Sequence, residues 1–152
     1  MIPDFIDGVL PEGIHTCTLE EVVERFGRIQ ESDRRLQLTA RLDRYVNEVR
    51  KTGTALAIII DGSYVTMKAK PNDIDIIMVL RQHSAVGQDM TPSEYRIQSM
   101  RMIKKEYGFD LLVSTEGPKA YFRRLELFAL VRQDDPDFGA SRKTKGVVRI
   151  NI

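Results

Sequence analysis

Ala55-Leu56-Ala57-Ile58-Ile59-Ile60-Asp61-Gly62-Ser63, followed after nine residues by Asp73-Ile74-Asp75-Ile76-Ile77-Met78-Val79-Leu80, is the stretch of the chain on which the fold turns. Ala55 to Ile60 is a continuous apolar run, the pattern of a strand covered on both faces. Asp73 to Leu80 is a second such run, rich in Ile and Val apart from its two acids. Upstream the period is helical. Thr18 and Glu21 have capping-box spacing, with Leu19, Val22, Val23 and Phe26 as a buried face and Gly27 as the stop. A longer helix is expected from near Ser32, with Asp33 in its first turn, a stripe of Leu38, Leu42, Tyr45 and Val49, and a C-cap at Gly53.

Downstream, Thr91-Pro92-Ser93-Glu94 opens another helix, with Ile97, Met100, Ile103 and Tyr107 as its apolar face. Phe109 to Val113 reads as a third strand and Ala120 to Val131 as a further helix carrying Phe122, Leu125 and Ala129. Gln133 to Lys145 reads as a polar loop, and Val147 to Ile152 as a last strand, at an edge of the sheet. Residues 1–17 hold Pro3, Gly8, Pro11 and Gly13, the punctuation of an ordered arm or loop. Alternating helices and apolar strands imply an α/β (α+β) fold, a mixed sheet flanked by helices. The whole chain is expected to form one domain, with an N-terminal arm and helices over 1–53 and a core sheet with helices over 54–152.

Composition narrows the function classes. With 152 residues, 42% hydrophobic and 30% charged, the chain suits one globular domain rather than a disordered or fibrous protein. Its 23 basic and 22 acidic residues leave a net charge of +1, which excludes a general polyanion-coating protein. Cys17 is the single cysteine, so no internal disulfide forms. The apolar runs are too short to span a bilayer, and the N-terminus lacks the basic and apolar stretches of an export signal. A cytoplasmic protein with no membrane partner is expected.

The chemistry is concentrated around the opening stretch. Gly62 and Ser63 follow directly after a buried strand, where a glycine lets the backbone approach a ligand and N–H groups and a hydroxyl can hold a phosphate. Asp73 and Asp75 are two apart on a strand, so their carboxylates share a face at a Cα spacing of roughly 6.5–7 Å. Two bare carboxylates on one face repel each other, and a divalent cation removes that penalty. Mg²⁺ (or Mn²⁺) suits it, taking a few carboxylates and completing its shell with water and phosphate oxygens. Asp110, near the start of the next strand, reaches the same place if that strand pairs beside Asp73 to Leu80. Metal-bound acids of this kind serve phosphoryl or nucleotidyl transfer, with Asp110 completing a metal site or acting as a base toward the acceptor. Each piece also has a plainer reading. Gly62-Ser63 can be a simple strand-to-helix turn, and the acids can be turn residues or solvated edge charges. Lys68 and Lys70, between the motifs, can bind a triphosphate or lie in solvent.

A strand, Gly62-Ser63, about ten residues, Asp73-x-Asp75 on a strand and a third acid, Asp110, on a following strand together resemble the nucleotidyltransferase (polymerase-beta-like) superfamily. Further pieces resemble one small stand-alone family of such proteins: Leu10-Pro11-Glu12-Gly13-Ile14-His15, Arg25-Phe26-Gly27, Tyr64-Val65-Thr66, Pro71-Asn72 and Lys145-Gly146-Val147-Val148. The resemblance implies Mg²⁺-dependent transfer of a nucleoside monophosphate from a nucleoside triphosphate, such as ATP, to a hydroxyl of a protein or RNA acceptor. It also implies a place in a toxin–antitoxin or phage-defence module. Its catalytic and metal-binding residues would be Asp73, Asp75 and Asp110, and its phosphate-binding residues Gly62, Ser63, Lys68 and Lys70. The partners to expect are the triphosphate, a cognate toxin or antitoxin or an RNA acceptor, and a second copy of the chain in a homodimer. No C-terminal helical domain of the kind that reads the base in larger relatives is evident. The alternative is therefore a catalytically inactive binding module of the same fold, an antitoxin or regulatory subunit. A weaker third reading is a nucleic-acid-binding protein using Arg142 to Lys145.

The remaining candidates read as structural. His15, with His83 as the only other histidine and Cys17 the only cysteine, is better a histidine bonded to backbone than a zinc ligand. Cys17 reads as a small packed residue, and Met67, Met78, Met90, Met100 and Met102 as core or helix-face fillers. Arg101, Lys104 and Lys105 read as one exposed helix face. Lys119, Arg123 and Arg124, and the loop cations Arg142, Lys143 and Lys145, read as solvated charges more readily than as ligand contacts.

Overall fold

Gly53 ends the long helix in the left-handed conformation, φ 66°, and the chain changes there from helical period to strand. The computed structural model of the chain describes residues 1–82, 84, 89–115 and 144–152. Their elements are β1 (Ile14–Cys17), α1 (Leu19–Gly27), α2 (Asp33–Thr52), β2 (Ala55–Asp61), β3 (Asp75–Leu80), α3 (Pro92–Gln98), α4 (Met100–Tyr107), β4 (Asp110–Thr115) and β5 (Val147–Asn151), with a short 3-10 turn at Ser63–Val65. The five strands form one mixed sheet in the order β1-β5-β2-β3-β4. β2 runs antiparallel to both its neighbours, while β1 with β5 and β3 with β4 are parallel. The fold is thus of the expected α/β class. No helix among the described residues is long and apolar enough to cross a membrane. The helix expected over Ala120 to Val131, the loop from Gln133 as far as Lys143, His83, Lys119, Arg123, Arg124 and Arg142 lie outside the described residues.

The sheet is buried on both faces, as the uninterrupted apolar strands require. Ile58, Ile60, Ile76, Met78, Val148 and Ile150 join Phe26, Leu38, Leu42, Tyr45 and Val49 in the main core. Ala57, Ile59, Ile77, Val79 and Val147 form a second cluster on the opposite face. Each such side chain stabilises the fold by about 1.5–3 kcal/mol relative to exposure. Both capping boxes form: Thr18 with Glu21 at the start of α1 and Thr91 with Glu94 at the start of α3.

Local pattern misjudged several places. The single helix expected after Thr91 is two, because Ser99 takes an extended conformation (ψ 108°) and caps α4 by accepting from the Met102 N–H. Met100 consequently leaves the apolar face and is exposed, as are Met67 and Met102, so of these methionines Met78 is the one in the main core. Val23, expected on the buried face of α1, lies at its exposed margin. β5 is not an edge strand, since β1, drawn from the N-terminal arm, pairs along its outer side. β3 begins at Asp75, so Asp73 precedes the strand.

The arm is built into the sheet. Gly146 N–H donates to Leu10 O (3.0 Å) and Val147 N–H to Gly13 O (2.9 Å). A Cβ at Gly146 would collide with the Pro11 carbonyl and the His15 ring. His15 Nε2 lies 2.7 Å from Pro11 O, the backbone bond expected of it. Cys17 is buried, and burial, helped by the nearby Glu21 carboxylate, pushes its thiol up to about 12, which makes it unreactive.

Candidate functional site

The strand register brings the acids together. Asp75, the first residue of β3, lies opposite Asp61 on β2 and opposite Asp110 on β4. The Asp110 N–H donates to Ile74 O (3.1 Å), so the pairing continues back toward Asp73. By alternation Asp61, Asp75 and Asp110 project on the side of the Ile59 and Ile77 cluster. Asp73, Asp75 and Asp110 each offer a carboxylate oxygen within 4.8 Å of the others. Asp73 and Asp75 are half-buried and Asp110 is exposed.

Gly62 closes the other side of this cluster. Its φ of 80° with ψ −164° belongs to a region essentially restricted to glycine. A Cβ there would meet the Asp75 carboxylate. The bend that sequence spacing associated with a phosphate is therefore packed against Asp75. Gly62→Ala is expected to cost ~2 kcal/mol from backbone strain and to displace Asp75. Urea unfolding measures it, and wild-type stability in the variant would contradict the close approach.

Two arginines of α2 hold the connection between the motifs. Arg35 is fully buried. Its guanidinium donates to the carbonyls of Tyr64 (2.8 Å), Thr66 (2.6 Å), Lys68 (2.6 and 2.8 Å), Phe26 (3.0 Å) and, at 3.4 Å, Ser63. It also lies 5.5 Å over the Tyr64 ring. Burial lowers its pKa to about 10, so it remains a cation at neutral pH. Arg34 donates to Pro71 O (3.2 Å) and Asn72 O, just before Asp73. Thus Arg35 sets the segment after Gly62 and Arg34 the segment before Asp73.

Lys104, read from sequence as plain helix surface, is ion-paired with two of the three acids. From α4 its ammonium lies 2.8 Å from Asp110 Oδ1 and 3.4 Å from Asp73 Oδ2. The two carboxyls respond in opposite directions. Burial, and then the neighbouring Asp110, raise Asp73 above the usual carboxylate range. The hydrogen bond from Lys104 holds Asp110 below it, and Lys104 is raised by the same bond.

Lys145 is the second correction. Expected in a solvated loop, it is buried and forms an ion pair with buried Asp61. This pair neutralises the fourth carboxylate next to Asp75 and ties the start of β5 to the end of β2. Lys68 and Lys70 line a surface groove with Asp7, Gly8, Gln30 and Met67, and the acids are not among its lining residues. Gly62 thus lies against Asp75, while the two lysines line a groove beside Asp7 and Gly8 of the arm.

The residues fit a divalent cation on two grounds: the donors are hard carboxylate oxygens, and a Cβ is excluded beside one of them. Comparison with known proteins gives the chain a family. No curated protein and no solved structure matches it. A family model described as a family of unknown function, DUF6932, matches residues 3–151, and the chain belongs to that family.

Proposed function

We propose that this member of the family is a Mg²⁺-dependent nucleotidyltransferase, moving a nucleoside monophosphate from a nucleoside triphosphate to a hydroxyl of a protein or RNA acceptor. The observation that carries the reading is the convergence of Asp73, Asp75 and Asp110 within 4.8 Å of one another, against the Gly62 bend. The resemblance of these same residues to the polymerase-beta-like signature supports it. A cytoplasmic toxin–antitoxin or defence setting belongs to the same proposal.

Asp73 and Asp75 would hold Mg²⁺ or Mn²⁺, with Asp110 completing the set. When bound, the ion would neutralise charge on the departing pyrophosphate and make the acceptor hydroxyl more acidic. The Ser63 hydroxyl and the N–H groups at the bend would donate to phosphate oxygens, and Gly62 would let them approach. Arg35, by fixing the carbonyls of Ser63, Tyr64, Thr66 and Lys68, would set these donors before substrate arrives, which is what makes such donors effective. In the transfer, the acceptor oxygen bonds to the α-phosphorus as the bond to pyrophosphate breaks, and the hydroxyl proton passes to solvent water. Incubation with α-labelled nucleoside triphosphates, Mg²⁺ and lysate is expected to label an acceptor macromolecule. Absence of label with every nucleotide, metal and acceptor would count against transfer.

One observation favours the inactive binding module instead: Lys104 already neutralises part of the acid cluster. That reading expects a tight complex with a partner protein, unchanged by Asp73→Ala, and no labelled product.

A further inference from the structure

Lys104 stands on a different element from the acids and reaches them across the sheet edge. Its Nζ lies on Asp110 Oδ1 and Asp73 Oδ2 at 2.8 and 3.4 Å, oxygens of two of the three residues that a metal would use. The side chain is 52% exposed, and Lys has a flexible four-carbon stem. It can therefore withdraw into solvent without disturbing α4, which is anchored by buried Ile103 and Tyr107. An ammonium and a divalent cation held by the same carboxylates repel each other, and each satisfies the charge that the other needs.

We propose that Lys104 is a built-in competitor for the cation: it neutralises Asp73 and Asp110, and metal binding requires its withdrawal. The inference rests on the metal reading of the acids given above. It makes cation affinity a property of α4 as well as of the three ligands. Loading of the site then depends on whether Lys104 has another anion to turn to, such as a phosphate of an incoming triphosphate.

The test is Mn²⁺ alone, titrated into the full chain and followed by isothermal calorimetry and by the electron paramagnetic resonance of free Mn²⁺. Lys104→Met keeps most of the stem and removes the charge. It is expected to bind Mn²⁺ about fivefold more tightly than wild type, the scale of one exposed ion pair. Lys105→Met removes a neighbouring exposed charge and is expected to stay within about twofold of wild type. Asp75→Asn is expected to abolish binding in either background. If Mn²⁺ binds through Asp75 but Lys104→Met leaves affinity unchanged or weaker, or Lys105→Met tightens it equally, the competitor role is overturned and the metal site stands. If neither wild type nor Lys104→Met binds Mn²⁺, the metal reading itself fails and the competitor role falls with it.

Discussion

Replacing Arg35 by Met is expected to destabilise the protein by at least ~3 kcal/mol, or to prevent folding. The side chain is fully buried on α2, and its guanidinium binds the carbonyls of Phe26, Ser63, Tyr64, Thr66 and Lys68. Methionine fills similar space but donates nothing, so several inward-facing carbonyls lose their partner at once. Leaving one buried polar group unpaired costs about 1–3 kcal/mol. Urea denaturation followed by far-ultraviolet circular dichroism gives the change directly. Arg34→Met, whose carbonyl partners lie nearer the surface, is expected to cost about 1 kcal/mol. A loss below 1 kcal/mol in Arg35→Met would mean that the loop after Gly62 is held by other contacts.

The second large effect falls on chemistry. Asp75→Asn preserves shape and removes a negative charge from the residue that faces Asp61, Asp110 and Gly62. Even groups that only support metal ligands change affinity or activity by about 10–100-fold when altered. Removal of a ligand charge should therefore lower transfer of label by at least ~100-fold. The same substitution separates folding from function. Wild type is expected to melt higher in Mn²⁺ than in chelator, since a ligand that binds only the folded state stabilises it by mass action. In Asp75→Asn that difference should vanish while the cooperative transition persists. A Mn²⁺-dependent rise retained in the variant would place the ion elsewhere.

What could be read in the chain beforehand was local. Thr18 with Glu21 and Thr91 with Glu94 cap their helices because a capping box is complete within four residues. The apolar runs announce doubly covered strands, and the close spacing of Asp73 and Asp75 keeps their carboxylates together although β3 begins only at Asp75. The residues that escaped notice act through tertiary register. Arg35 did leave a trace, since it continues the stripe of Leu38, Leu42, Tyr45 and Val49 one turn upstream at the same alternating spacing. A charged residue on a buried stripe calls for buried acceptors, but their identity depends on where the loop packs. Lys104 looks like any exposed helix lysine until β4 is set parallel beside β3. Lys145 meets Asp61 because β5 inserts between β1 and β2, a placement that the alternation of Val147 to Ile152 does not encode. The break at Ser99 was hidden by apolar spacing that runs through it, although its serine cap is itself a local signal.

The most direct test is a crystal of the protein grown or soaked with Mn²⁺ and a nonhydrolysable nucleoside triphosphate, with data collected at a wavelength where manganese scatters anomalously. An anomalous peak is expected within metal–oxygen bonding distance of Asp75 and Asp73, with Asp110 at the same ion and the triphosphate against Gly62 and Ser63. Manganese bound away from these carboxylates, or a triphosphate seated elsewhere with the acids still held by Lys104, would contradict it.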